Sequence, residues 1–319
     1  MGATGDKHNA TREAGDPIRV YGVDFSAAAT DAGRKTWIAS GRVDPQRDRI
    51  VVTDLRPLTA VAGLDTACRE AALPALARWL RERDETAVVG LDFPFGLPQF
   101  IAEETGNESW QSFISRFPES IGVDGSADAG EDGSSDPVRT FAERCVGLTE
   151  RHGEGTYDKR RTDAAVGARS PYGFIADTIT FYGIRDVLAT VLDEVRFAPM
   201  DRTDGAWRPG VPTGPTAVET YPAAVLDRFG LHRTNYKGNG DEESANRRRN
   251  AEGLAEAADV VYKSESTATE TMVADAGGDA LDAVAACVGA FTARRRGYET
   301  DTAAFDDPSA VRLEGYIYG

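Results

Sequence analysis

Cysteine and histidine are scarce in this sequence, with three of each among 319 residues. Cys68, Cys145 and Cys287 are far apart, and none of them belongs to a CxxC pair. Their odd number and wide spacing predict neither a disulfide framework nor a zinc site. We therefore expect the cysteines to be buried as small apolar side chains.

Long apolar runs are also absent. No stretch approaches the roughly eighteen consecutive apolar residues that a membrane span requires. The first residues, MGATGDKHNATREAGD, lack the apolar centre of a signal peptide. We therefore expect a cytoplasmic location and no membrane contact, whereas the sequence leaves the oligomeric state open.

Lysine is rare, accounting for five of the 36 basic residues, and the net charge is −16. Such a charge repels polyanions such as nucleic acids. The excess of acids with few lysines is, however, typical of proteins from salt-loving organisms, where molar salt screens charges within about 3 Å. Overall charge therefore does not exclude nucleic acid, and a positive track has to be local. The runs Arg247 to Arg249 and Arg294 to Arg296 are candidates, although arginine near a helix C-terminus also complements the helix dipole.

The order of apolar patterns predicts an α/β protein with a mixed sheet. Three β-rich runs separated by short turns, residues 18–28, 35–43 and 48–58, predict an antiparallel meander. The later patterns predict a helix over 65–83, in which Pro74 is tolerated if the main helix starts there. They also predict a buried central strand over 86–98, a strand over 216–226 that leads into a helix at Pro222, and helices over 241–258 and 277–296.

Residues 97–215 follow a different pattern, in which helical segments are joined by irregular stretches. One of these stretches, DGSADAGEDGSSDP at 124–137, is too polar and too rich in glycine and serine to pack. We interpret 97–215 as a largely helical insertion in a domain spanning 18–296. Residues 1–17 are then a disordered tail, and 297–319 a C-terminal tail.

Two short sequences repeat one local design. GVDFS at 22–26 and GLDFP at 90–94 each place a glycine two residues before an aspartate, on the same face of a strand. If the two strands are parallel neighbours about 4.8 Å apart, Asp24 and Asp92 emerge at the same sheet edge, where ligand sites concentrate. Glu219, in VETYP, would add a carboxylate from the next strand.

The last predicted helix carries Asp279 and Asp282, an i, i+3 pair near its N-terminus, where the helix dipole favours anions. Carboxylates that converge without lysine partners repel one another unless protons or a divalent cation neutralise them. Mg²⁺ and Mn²⁺ prefer such oxygen ligands, and two metals about 3.5 to 4 Å apart can activate water and stabilise the leaving oxygen of a phosphodiester. Together with Asp24, Asp92 and Glu219, the pair therefore predicts a magnesium or manganese site.

Each acid alone also has a structural explanation. A strand-end aspartate such as Asp24 or Asp92 often caps a turn. Asp279 could be the N-cap of the last helix with Asp282 as its N3 acid. Glu219 could hydrogen-bond a buried backbone group or an arginine. Only the joint occurrence of the acids on matching elements favours a site.

The predicted order βββαβαβα, with an acid on the first strand, an acid on the fourth and an acidic pair on the closing helix, resembles the RNase H-like superfamily, particularly its RuvC-like branch. GVDFS, GLDFPFGLP, RRTD, SPYGF, VETYP and GDALDAVAA together resemble domain-of-unknown-function family 429 over about residues 18–296. The resemblance implies an RNase H-like fold with a five-stranded mixed sheet, flanked by helices. It also implies a metal-dependent nuclease acting on DNA or RNA.

Substrate contacts are expected outside the acids. Arg160, Arg161 and Asp163 lie beside SPYGF, which contains Tyr172, and these residues are predicted to bind substrate. The two arginines are expected to contact its phosphate; a solvated or salt-bridged loop is the alternative. Ser26 follows the first acid and would hold phosphate if the protein were instead an ATP-dependent phosphotransferase of the actin and sugar-kinase type. That alternative expects a second core with a Gly-rich phosphate loop, which is not evident. A catalytically silent RNase H-like binding protein is the third hypothesis.

Overall fold

The computed structural model of the protein describes residues 18–123, 136–152 and 155–319. The expected N-terminal tail at 1–17 and nearly all of the polar stretch at 124–137 lie outside the described residues. The strands are β1 (Arg19–Asp24), β2 (Trp37–Asp44), β3 (Arg49–Pro57), β4 (Val88–Asp92), β5 (Arg196–Ala198), β6 (Arg202–Thr203), β7 (Ala206–Trp207), β8 (Thr216–Thr220), β9 (Val260–Tyr262) and β10 (Ile317–Tyr318).

Helices connect and flank these strands. The α-helices are α1 (Ala32–Lys35), α2 (Leu58–Ala62), α3 (Arg69–Arg81), α4 (Gln99–Glu104), α5 (Trp110–Ser115), α6 (Pro137–His152), α7 (Arg161–Val166), α8 (Ala176–Tyr182), α9 (Ala189–Val191), α10 (Pro222–Arg228), α11 (Asp241–Ala257), α12 (Glu265–Ala274), α13 (Asp279–Arg295) and α14 (Val311–Glu314). A π-helical turn, Gly183–Leu188, continues α8, and short 3₁₀ turns form at Glu119–Ile121 and Pro308–Ala310. In the described part of the chain, no helix is both long and apolar enough to span a membrane.

The main sheet follows the order β10-β8-β4-β1-β2-β3-β9, and β5 pairs with β8 as an eighth strand. The predicted antiparallel meander is confirmed in β1, β2 and β3. Strand β4 is central, as predicted, because it lies parallel to β1 on one side and to β8 on the other. The predicted count of five strands was wrong. Strands β5, β9 and β10 contain only two or three residues each, too few to show a period of two in the sequence.

Helix α3 lies within the predicted range of 65–83. It starts at Arg69, so that Pro74 lies inside the helix instead of at its first turn. The amides of Ala71 and Ala72 donate to the carbonyl of Cys68, and this first turn forms before the proline is reached. The proline then costs the helix one backbone donor in an early turn.

One face of the sheet packs against the helices of residues 97–215. Val23 and Leu91 of the central strands share a hydrophobic core with aromatic side chains of these helices, including Trp110 and Phe113. The indole Nε1 of Trp110 donates to the carbonyl of Phe95 at 2.7 Å, so the buried polar atom is satisfied. The expected insertion therefore shares the main core of the protein.

The other face of the sheet is covered by α13, whose backbone comes very close to the strands. A Cβ atom on Gly22 would lie 2.1 Å from the carbonyl oxygen of Ala283, and one on Gly90 would lie 2.4 Å from that of Ala286. Only glycine permits this approach of helix to strand. The glycines of the two repeated sequences are thus explained by the packing of α13.

The C-terminal residues, expected to form a tail, contribute to the sheet. Strand β10 pairs with the last residues of β8, and β5 pairs with the first ones along the same edge. Glu314 of α14 is 2% exposed, so the C-terminal segment packs against the rest of the protein. Cys145 and Cys287 are buried as expected, whereas Cys68 is partly exposed.

Candidate functional site

The carboxyl ends of β1 and β4 carry the two strand aspartates side by side. The parallel register pairs Gly22 with Gly90 and Asp24 with Asp92. Alternate residues share a face, so each aspartate lies on the face that α13 covers, two residues beyond its glycine. Because α13 runs antiparallel to β1, with Cys287 beside Val20, the aspartates lie toward the N-terminus of α13.

The N-terminus of α13 brings Asp279 and Asp282 to the same place. Asp282 is 2% exposed and Asp24 is 7% exposed, while Asp279 is partly exposed. The N-cap explanation for Asp279 does not hold, because Gly278 is the N-cap residue and the amide of Ala280 donates to Asp275 Oδ2 at 2.8 Å. The Asp279 carboxylate is therefore not used to cap the helix.

We call the four aspartates at this end of the sheet the acidic cluster: Asp24, Asp92, Asp279 and Asp282. Burial, and after it the charge of Asp282, raise the pKa of Asp24 and the pKa of Asp92 well above their ordinary values. Burial, and then the charge of Asp275, raise the pKa of Asp279 to about 6.

The acidic cluster has a lysine partner, which offsets part of the repulsion between its carboxylates. Lys237 Nζ lies 2.6 Å from Asp282 Oδ2, and the Tyr236 hydroxyl donates to Asp282 Oδ1 at 2.9 Å. Burial lowers the pKa of Lys237, but the charges of Asp282 and Asp24 raise it overall. Neither Lys237 nor Tyr236 was predicted from the sequence to belong to the site. The available signal was a Tyr-Lys pair in the turn-forming stretch NYKGNG, in a chain with only five lysines.

Helix α11 holds the loop that carries this lysine. Arg247 is 3% exposed, and its Nη1 donates to the carbonyls of Tyr236 at 2.7 Å and Gly238 at 2.9 Å. Its Nε donates to the carbonyl of Val273 at 3.0 Å. Arg247 therefore fixes the backbone on both sides of Lys237 and does not contribute to a basic surface track.

Glu219 lies on the opposite face of the sheet from the acidic cluster. Its register partner on β4 is Leu91, so it faces away from the side chain of Asp92. Arg160 binds both of its carboxylate oxygens, at 2.8 and 2.5 Å, and the amide of Phe95 donates to Oε2 at 3.0 Å. The alternative that the sequence left open, a buried arginine and a backbone partner, describes the contacts of Glu219.

The other residues predicted to contact substrate are largely engaged inside the protein. Arg160 has no exposed surface and also donates to both oxygens of Asp163, at 2.9 and 2.7 Å. Arg161 pairs with Glu314 at 2.8 Å and with Asp306 at 2.6 Å. These contacts join the start of α7 to β8 and to the C-terminal segment.

Tyr172 and Ser26 differ in their accessibility. Tyr172 is buried, and its hydroxyl hydrogen-bonds the hydroxyl of Thr149 at 2.7 Å and accepts from the amide of Asp158 at 2.7 Å. Ser26 is partly exposed just beyond Asp24, and its hydroxyl accepts from the amide of Ala28 at 3.4 Å. Among the residues predicted to contact substrate, Ser26 is thus the one that closely follows a member of the acidic cluster, Asp24, along the chain.

The chemistry of the acidic cluster suits a hard divalent cation, because it consists of carboxylate oxygens with an excess of negative charge over its lysine. Both oxygens of Asp282 are engaged by Tyr236 and Lys237. Across residues 18–123, 136–152 and 155–319, no group of three or more His, Cys, Asp or Glu side chains is arranged to hold a metal ion. A cation would therefore require a rearrangement of side chains around Asp282.

The comparison with family models gives one result. The model described as protein of unknown function (DUF429) matches residues 194–308. This match supports the resemblance to domain-of-unknown-function family 429, and it includes Lys237, Asp279 and Asp282. Comparison with curated proteins and with solved structures finds no match.

Proposed function

We propose that the protein is a metal-dependent phosphodiesterase of RNase H-like fold, acting on nucleic acid through the acidic cluster. The observation that carries the proposal is the convergence of Asp24 and Asp92, in register on parallel strands, with Asp282 of α13. An antiparallel meander followed by parallel strands, with acids on the first strand, the fourth strand and the closing helix, supports the RNase H-like assignment.

Asp24, Asp92 and Asp282 would hold Mg²⁺ or Mn²⁺, with Asp279 at the more exposed side. When bound, the cation would polarise a phosphoryl oxygen and activate a water molecule. The protein itself contributes position and charge. Tyr236 orients the Asp282 carboxylate. Burial of Asp24 and partial burial of Asp92 disfavour the charged forms of these groups, and a bound cation would compensate their negative charge.

A polyanionic substrate needs local positive charge, since the net charge of the chain is −16. The loop between α10 and α11 supplies it with two cations. Lys237 borders Asp282, and Arg233 lies within electrostatic reach of Tyr221, which in turn lies within reach of Asp92. Both cationic side chains are partly exposed, at 53% and 34%. This loop, and not the buried Arg160, is the element that we assign to substrate phosphate.

The test is cleavage of labelled single-stranded and duplex DNA and RNA, with Mg²⁺ or Mn²⁺, in low and in molar salt. Asp24→Asn should lower the cleavage rate by about 100-fold or more, because it removes a charged carboxylate that would hold the cation. Asp54→Asn on β3, an acid outside the cluster, is the matched control and should retain the rate. Undiminished cleavage by folded Asp24→Asn would contradict the proposal.

The same preparations test the two alternative functions. Thermal stabilisation by ATP without any cleavage would favour the phosphotransferase. Nucleic-acid binding in the absence of calorimetric Mg²⁺ or Mn²⁺ binding would favour a silent binding protein.

A further inference from the structure

The exposed large apolar side chains are concentrated at one place on the surface. Tyr157, Phe174 and Ile175 are 47%, 71% and 77% exposed, whereas the other large apolar side chains of residues 18–123, 136–152 and 155–319 are buried or half-buried. We call these three residues the aromatic patch. Exposed apolar side chains that are grouped in this way mark a binding surface more often than single ones do.

The two rings of the aromatic patch are positioned by the structure beneath them. The Phe174 ring lies 5.6 Å from the Tyr157 ring, at an interplanar angle of 32°. The Tyr157 ring lies 6.1 Å from the buried ring of Tyr172, whose hydroxyl accepts from the amide of Asp158 at 2.7 Å. Phe174 has a φ of 55°, a left-handed conformation that bulky residues rarely adopt. Such strained residues are concentrated at binding sites, where the surrounding structure holds them in place.

A guanidinium group borders the aromatic patch. The side chain of Arg169 is exposed, and its guanidinium carbon lies 5.8 Å from the centre of the Phe174 ring. An aromatic ring with an arginine beside it offers a flat apolar surface and a positive charge at the same place. The arginine can therefore bind an anion next to whatever stacks on the ring.

The aromatic patch is continuous with the cationic loop between α10 and α11. Arg233 Nη2 donates to the carbonyl of Val166 at 3.2 Å. Arg169 follows Val166 by three residues, which is a backbone length of at most about 11 Å. A strand of nucleic acid that contacts Arg233 therefore needs only a short further length to reach the patch.

Unpaired bases fit this combination, because each base has a flat face that stacks on a ring and a phosphate that pairs with an arginine. We propose that the aromatic patch binds single-stranded nucleic acid, with unpaired bases stacked on Phe174 and Tyr157 and a phosphate of the same strand on Arg169. The inference rests on the proposed function for its choice of nucleic acid. It adds that the bound strand is unpaired and where on the surface it lies.

Binding is measured by fluorescence anisotropy with labelled oligothymidylate and oligouridylate of about 16 nucleotides, in EDTA so that no metal-dependent cleavage occurs. Both should bind more tightly than a duplex of the same length. Phe174→Ala should weaken binding of the single strands by about 5- to 150-fold, because a base loses its stacking partner. Failure of both single strands to bind the unmodified protein, or equal affinity in Phe174→Ala, would overturn the proposal.

Two variants separate stacking from general apolar contact. Phe174→Leu keeps an apolar side chain but removes the ring, so it should also weaken binding. Ile175→Ala, at the neighbouring exposed residue without a ring, is the matched control and should bind within about twofold of the unmodified protein. Equal losses in Phe174→Ala and Ile175→Ala would show that the patch binds an apolar partner and not a base.

The phosphate contact is tested by the salt dependence of binding. Arg169→Gln should reduce the slope of log affinity against log salt by about 0.7, the value for one phosphate contact on a single strand. Arg42→Gln, at an exposed arginine of β2, is the matched control and should leave the slope unchanged. Equal slopes in the two variants would refute the contact between Arg169 and phosphate.

Ultraviolet crosslinking of the bound oligothymidylate locates the strand. The crosslink should lie in the tryptic peptide 170–185 and should be lost in Phe174→Ala. Crosslinks confined to other peptides would refute the location. If Phe174→Ala retains its affinity but converts a dimer to a monomer in sedimentation, the patch is an interface between copies of the chain and the proposal is wrong.

The two proposals fail in different experiments, because binding is measured without metal and cleavage with it. If the single strands bind at the aromatic patch but no nucleic acid is cleaved, the binding surface holds and the phosphodiesterase assignment is wrong. If the protein cleaves nucleic acid while Phe174→Ala changes neither the affinity nor the KM for a single strand, the phosphodiesterase assignment holds and the binding surface is wrong.

Discussion

The packing of α13 on β1 makes Gly22 the most sensitive position of the sheet to a single added carbon. The Cβ atom of Gly22→Ala would lie 2.1 Å from both the carbonyl oxygen of Ala283 and the amide nitrogen of Cys287, and 2.7 Å from the Cys287 Cα. All three atoms belong to the helix backbone. No rotation of a side chain relieves the clash, so α13 itself has to move.

The loss in the free energy of unfolding that we expect for Gly22→Ala follows from this movement of α13. Carbon contacts are optimal at about 3.5 to 4 Å, so the helix must retreat by more than about 1 Å from strands that it covers with its apolar side chains. Overpacking of a core costs about 1 to 3 kcal/mol, and occasionally more, when side chains can adjust. For a clash with backbone we expect at least about 3 kcal/mol, a large part of the roughly 5 to 15 kcal/mol that stabilises a typical protein.

Gly41→Ala is the matched control. Gly41 lies on the neighbouring strand β2, where an added Cβ would be 3.4 Å from the carbonyl oxygen of Val20 and 3.5 Å from the Cys287 sulfur. These are ordinary contacts, so the substitution should change the free energy of unfolding by less than about 1 kcal/mol.

Thermal and urea unfolding, followed by circular dichroism, measure the difference between the two variants. A loss of 3 kcal/mol corresponds to a decrease in Tm of about 4 to 5 °C for a protein of 319 residues. If Gly22→Ala unfolds within about 2 °C of the unmodified protein, α13 does not approach β1 as closely as the structure places it.

Two further predictions concern the charged groups. Because the pKa of Asp279 is raised to about 6, ionisation of Asp279 costs folding energy as pH rises through that value. In metal-free buffer, Asp279→Asn should therefore increase the free energy of unfolding by up to about 3 kcal/mol at pH 8, with no gain below pH 4; a gain independent of pH would contradict this. Arg160→Ala should cost about 3 to 5 kcal/mol in urea unfolding, because it leaves Glu219 and Asp163 buried without their partner. Arg139→Ala, at an exposed pair with Glu143, should cost less than about 0.5 kcal/mol, and similar losses in both variants would refute the network.

The sequence was sufficient to place the strand acids because their signal is local. GVDFS and GLDFP each combine a period of two with an acid on the face where an apolar residue is expected, and both lie in strands of at least five residues. The apolar stripe of α13 and the helix start at Pro222 are equally local. Elements that a single chain segment determines could therefore be predicted, including the central position of β4.

The remaining features depend on contacts between distant segments. Lys237 reaches Asp282 from a loop whose shape is set by Arg247 of the following helix. The direction of Glu219 depends on its register with Leu91, which the sequence of β8 alone does not specify. A short strand such as β10 forms only because β8 presents an open edge. No pattern within these segments predicts which distant residues they contact.

The glycine and the aspartate of each repeated sequence act together. Gly22 and Gly90 let α13 approach β1 and β4, and this approach brings Asp282 to the strand aspartates, where the acids repel one another. The close approach of α13 therefore assembles the acidic cluster and also brings its negative charges close enough to repel one another. It follows that Gly22→Ala and Asp24→Asn should affect stability differently, since the first disrupts packing and the second removes a buried charge. Both should lower the cleavage rate, because Gly22→Ala displaces α13 and its Asp282 from the strand aspartates, whereas Asp24→Asn removes a carboxylate from the acidic cluster.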